Sequence, residues 1–158
     1  MAYETQLIYK PEQQNYTIIR EFDAARDKVF LAFTQAELYA RWFMPAESKL
    51  KIETMNAVSG GTYKHTHYQG DTPFSFYGVF HEVIAPELII KTSEFIGLPF
   101  KVQPVMELLQ FDSISAQKTR VIIEVVCPSI TQRDAMVNAG MKSTLDITHQ
   151  QLDLLLAQ

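Results

Sequence analysis

The sequence predicts an α+β fold in which a run of antiparallel strands is covered by one long helix near the C-terminal end. Two observations carry this expectation. Between Ser129 and Gln158, Val137, Met141, Leu145, Thr148, Leu152 and Leu155 recur at steps of three and four, the spacing of a single helical face. Ahead of Ser129, segments rich in β-forming residues follow one another, several with charged residues at every second position. A helix with one apolar face and a sheet with one apolar face must cover one another.

The elements follow in order. Residues 1–14 read as an irregular lead-in interrupted by Pro11. Tyr16 to Phe22 is the first strand. Asp23 is placed to cap a short helix that buries Val29, Phe30 and Phe33. Thr34-Gln35-Ala36-Glu37 has the form of a capping box and starts a second short helix towards Trp42, closed by Pro45. Leu50 to Thr54 is a half-buried strand with Leu50 and Ile52 inward, and Ser59-Gly60-Gly61 is a turn. In the strand Thr62 to Tyr68, Lys64 faces water, so Tyr63, His65 and His67 share the other face.

After a turn over Gln69 to Pro73, Phe74, Phe76, Gly78 and Phe80 line one face of the next strand, which ends at Ala85-Pro86. On the following strand Leu88, Ile90, Thr92 and Glu94 share the expected inner face, with Lys91 opposite. A loop from Ile96 to Phe100 leads to a strand expected to bury Val102, Met106 and Leu108 and to expose Lys101, Gln103 and Glu107; Pro104 implies a bulge or an edge. Residues 112–118 form a polar hairpin, and the last strand points Val121, Ile123 and Val125 inward. Pro128 stops it, and Ser129-Ile130-Thr131-Gln132 is a capping box for the long helix. Gly140 within that helix costs about 1 kcal/mol relative to Ala, so it marks either a close packing point or a break between a short helix and a long one.

Composition narrows the function classes. The 158 residues suit one domain, expected to span 1–158 with its core over about 16–157. With 47% apolar and 20% charged residues the chain has the balance of an ordinary globular protein. A formal charge of −4 argues against nucleic acid or an anionic membrane surface as the main partner. No apolar run approaches the ~18 residues of a membrane span, and the start of the chain lacks the basic and apolar regions of a signal peptide. Cys127 is the single cysteine, which excludes an internal disulfide; the expected location is the cytoplasm.

The order strand, two short helices, six strands, long helix resembles that of the START-like, or helix-grip, superfamily. Local motifs resemble one branch of it, the activator-of-heat-shock-protein-90-ATPase-like family. They are Arg20-Glu21-Phe22-Asp23-Ala24 followed by Val29-Phe30, Ala40-Arg41-Trp42-Phe43-Met44-Pro45, Gly60-Gly61-Thr62-Tyr63, Gly78-Val79-Phe80, Pro86-Glu87-Leu88, Gln132-Arg133-Asp134-Ala135-Met136, Ala139-Gly140-Met141 and the closing Leu152 to Leu156. The resemblance spans roughly residues 16–157. Two departures stand out. Asn56-Ala57-Val58-Ser59 occupies the place where the family usually has an acidic residue and Arg-Pro, and Phe43-Met44 replaces a second tryptophan and a small residue. The resemblance implies a curved antiparallel sheet of about seven strands wrapped around the C-terminal helix, with a cavity between.

That cavity is the expected site, for a small apolar or aromatic molecule. Its walls would be Phe30, Trp42, Phe80, Ile90, Met106, Met136, Met141 and Leu145, the methionines filling irregular space. Tyr63, His65 and His67 would supply polar contacts, and Glu94 would either lie near the opening or pair with a cation such as Arg20. A plainly packed core is the alternative. His65 and His67 point the same way, but a zinc site needs a third ligand, Glu94 or Glu82, that spacing cannot bring into range. No metal or cofactor is therefore expected. An enzyme would need an acid–base pair, Tyr63 or His65 with Glu94. A chaperone-binding role follows only from the family name and ranks last. A homodimer is compatible with the sequence but not demanded by it. Cys127 has no basic neighbour in sequence to activate it, and no phosphate-binding loop, dinucleotide fingerprint or supported Ser-His-Asp order is present.

Overall fold

The computed structural model describes residues 3–68, 70–97, 99 and 101–158. Parts of the expected Gln69–Pro73 turn and Ile96–Phe100 loop therefore lie outside the described residues. The strands are β1 (Gln6–Ile8), β2 (Asn15–Phe22), β3 (Lys49–Met55), β4 (Thr62–Tyr68), β5 (Phe74–Ile84), β6 (Leu88–Ile96), β7 (Val105–Ser115) and β8 (Lys118–Val126). The helices are α1 (Arg26–Thr34), α2 (Ala36–Tyr39), α3 (Ile130–Asn138) and α4 (Met141–Leu156). All strands join one antiparallel sheet in the order β1-β2-β8-β7-β6-β5-β4-β3. This is the helix-grip arrangement, with eight strands rather than about seven. The extra strand, β1, comes from the lead-in: Leu7 pairs with Ile18 of β2 and packs on the core, so three residues suffice to hold it.

The inner face of the sheet follows from the pairings, because directly opposed residues share a face. Ile18, Ile123, Leu109 and Ile89 form one row across β2, β8, β7 and β6; Val121 and Phe111 belong to another. All of these side chains are buried. Above them α1 places Phe30 and Phe33 against Phe111 in edge-to-face contacts, and Trp42, in the turn after α2, packs tilted on Phe33. Each such side chain contributes about 1.5–3 kcal/mol by leaving water.

One open local alternative is decided, and three local expectations are corrected. Gly140 does interrupt the C-terminal helix: its φ of +84° lies in the left-handed region, so α3 and α4 are separate. Ser129 caps α3 by accepting from Gln132 N, but the Gln132 side chain donates to Gln103 O instead of closing the box. Asp23 does not cap α1, which starts at Arg26 with an uncapped Ala25; Asp23 accepts from the Tyr3 hydroxyl. Thr34 does not cap α2 either, because its hydroxyl donates back to Phe30 O.

The phase of two strands differs from expectation, and this decides the site. In β7 the inward residues are Val105, Glu107, Leu109 and Phe111, while Met106 is 41% exposed and Leu108 shares its face. In β6 they are Ile89, Lys91, Ser93 and Phe95, with Ile90, Thr92 and Glu94 on the outer face. Both parities of these strands carry apolar residues, so alternation alone cannot choose. The choice comes from registry with β8, whose Val121, Ile123 and Val125 are unambiguous.

Candidate functional site

Strand β4 sets Tyr63, His65 and His67 opposite Gly78, Phe76 and Phe74 of β5, all on the inner face. Tyr63 donates to Thr92 O at 2.6 Å across the glycine. A Cβ at position 78 would fall 1.9 Å from Thr92 O and 2.9 Å from the Tyr63 hydroxyl. Gly78→Ala should therefore cost about 1–3 kcal/mol by overpacking; a urea midpoint equal to that of the parent would refute this close approach.

His65 and His67 are fully enclosed. His65 Nδ1 and His67 Nε2 lie 2.7 Å apart, one ring N–H donating to the other ring nitrogen. Burial holds both neutral: the pKa of His65 is pushed down to about 3, with His67 and Lys91 adding to the effect, and that of His67 to about 4. His67 stacks on Phe74, and rings of Tyr39 and Phe43 cover His65. His67 Nδ1 has no hydrogen-bond partner among the described residues. The pair is a neutral, packed unit, and among the described residues no three His, Cys, Asp or Glu side chains converge as metal ligands.

Lys91 and Glu107 occupy opposed positions on β6 and β7, on the same inner face, and both are half-buried. The Lys91 ammonium stands 4.7 Å from the centre of the Tyr63 ring. Among the described residues neither side chain forms an ion pair. Glu107 lies close enough to Tyr16, Tyr39 and Tyr63 for its charge to add to burial, the larger cause, in raising all three hydroxyls. These phenols remain neutral. Ser93 lies on the same inner face, two residues along β6 from Lys91.

The helix side is closed at one end and open at the other. Thr148, Leu152, Leu155 and Leu156 of α4 are buried, whereas Met141 and Leu145, with Met136 of α3, are only half-buried. On the sheet the half-buried inner residues include Phe74, Phe76, Lys91, Ser93, Phe95 and Glu107. Gln151 holds the turn after α2 in place by donating to Trp42 O and Met44 O. Two surface depressions of about 470 and 190 Å³ lie elsewhere, one lined by Glu12–Asn15, Glu124 and Val126, the other by Arg41, Gln151 and the end of α4.

The twelve residues expected at the site divide accordingly. Phe30, Trp42, Tyr63, His65, His67 and Phe80 are buried in the interior, and Met136, Met141 and Leu145 are half-buried around it. Ile90, Glu94 and Met106 are not inside. Glu94 pairs with Lys101 on the outer face, and Arg20, its suggested partner, makes a bidentate bridge to Asp153 instead. Sequence reasoning missed Tyr16, Tyr39, Lys91, Ser93 and Glu107. The signal that could have found the last three was the Ile89–Leu109–Ile123 row, which fixes their phase.

The sequence profile of the family described as "Activator of Hsp90 ATPase homolog 1-like protein" matches residues 23–157. The chain belongs to this family. Solved structures share the fold. A protein from Rhodobacter sphaeroides is 17% identical with a TM-score of 0.87, over 98% of this chain and 99% of its own. One from Arthrobacter aurescens is 21% identical with a TM-score of 0.85, over 96% and 91%. CalU16 from Micromonospora echinospora is 17% identical with a TM-score of 0.61, over 96% and 86%. No curated protein matches the sequence. Among the described residues of this family member, no helix is long and apolar enough to cross a membrane.

Proposed function

We propose that this protein binds a small apolar or aromatic molecule between the inner face of β4–β7 and the start of α4. One observation carries the reading: the cover over the sheet is incomplete at this end, where Met141 and Leu145 stand half-buried while Leu152, Leu155 and Leu156 are closed in. The walls are apolar and the polar groups few, as in sites for small organic molecules. His65 and His67 act there as the rigid, uncharged backing of the wall rather than as direct contacts. The acid–base pair that an enzyme would need with Glu94 is not formed, since Glu94 lies on the other face of the sheet.

The test uses the neutral fluorophore N-phenyl-1-naphthylamine. Met141→Trp should weaken its binding about tenfold or more by filling the open end, with an unchanged melting temperature. Unaltered affinity in a folded variant would reject this site.

A further inference from the structure

Resting on that binding reading, we infer that the ligand carries an acidic oxygen group, a carboxylate or sulfonate, which the Lys91 ammonium receives at the open end of the grip. Lys91 projects from the middle of β6 onto the inner face, where a cation is costly to place without a counter-charge. The other inward cation on the strands described above, Arg20, is matched by Asp153 through two hydrogen bonds of 2.7 and 2.6 Å. Lys91 has no such match among the described residues, although Glu107 stands directly opposite. Its ammonium leans instead over the Tyr63 ring, a contact that leaves the remaining N–H donors free.

The two charges are not equivalent. Glu107, opposed to Lys91 on the same half-buried face, can only repel an acidic group, so of the pair Lys91 alone can receive one. Lys91 has one aromatic face. The unmet demand is thus for an acceptor beside Lys91. The Ser93 hydroxyl lies two residues along the same face and offers a second donor. Glu107 then sharpens the preference: it repels an anion that strays towards β7 and confines it to the side of Lys91 that faces β4.

The experiment compares two probes with the same ring frame, neutral N-phenyl-1-naphthylamine and anionic 1-anilinonaphthalene-8-sulfonate. They are titrated into the full chain and into Lys91→Met and Glu107→Gln variants, with melting temperatures as the folding control. Lys91→Met should weaken the anionic probe about tenfold or more and change the neutral one less than about twofold, the size expected for losing one charged hydrogen bond. Glu107→Gln should strengthen the anionic probe and leave the neutral one alone. The inference is overturned if both probes respond equally to Lys91→Met, or if Glu107→Gln weakens the anionic probe. Binding of the neutral probe alone, unaltered by Met141→Trp, would instead strike at the binding reading, and failure of both probes would remove the two together.

Discussion

Replacing Arg133 by methionine should destabilise the protein by about 3–5 kcal/mol, the range for stranding a buried charged network. The guanidinium is 1% exposed and anchors the segment that precedes β2. It donates to the carbonyls of Lys10, Gln13 and Asn15 at 2.9, 2.6 and 3.1 Å, to Pro11 O at 3.3 Å and to Asp134 at 2.8 Å. It also lies 5.0 Å from the Tyr9 ring. Methionine replaces the stem but removes the shared donor of four carbonyls, of which Lys10 O keeps only its bond from Gln13 N, and strips Asp134 of its charged partner. Lysine should recover less than half of the loss, because a single ammonium cannot reproduce the fork. Urea unfolding gives the total, and amide exchange should show residues 10–16 opening first. A loss under about 1 kcal/mol would show that this anchor is dispensable.

A second large effect is expected on acidification. Burial lowers the pKa of His149 from 6.5 to about 4, and those of His65 and His67 to about 3 and 4. His149 is closed in by Phe22 and bonds Thr5 at 2.6 Å. For a histidine whose folded pKa is depressed, the unfolded chain binds the proton first. The stabilising contribution is therefore complete above about pH 7 and is lost as the pH falls below 6.5 towards 4. Protonating His149 inside the fold costs about 3 kcal/mol at about 1.4 kcal/mol per pH unit. With three such groups, stability should fall by up to about 4 kcal/mol per pH unit near pH 5. Urea midpoints at pH 7.5, 6 and 5 should drop in step, and His149→Gln should flatten the slope by about a third. A midpoint constant from pH 7.5 to 5 would contradict the burial of these rings.

Some elements could be read from residues alone because a local rule had no competitor. In β4, Lys64 allowed only one inner face, and Tyr63, His65 and His67 lie on it. In β8, Arg120 and Glu124 left Val121, Ile123 and Val125 to be buried. The caps at Asp23 and Thr34 failed for a different reason. Their side chains found better-placed partners in Tyr3 and Phe30, which a local motif cannot anticipate.

The sequence by itself determined the α+β class, the order of elements from β2 onward, the strands β4 and β8 with their faces, and the aromatic interior around Trp42 and Phe80. Only the tertiary structure decided that Lys91 and Glu107 point in while Ile90, Glu94 and Met106 point out. A period of two defines the two faces of a strand, but where both carry apolar residues the neighbouring strands choose between them. That choice moved a lysine and a glutamate into the grip.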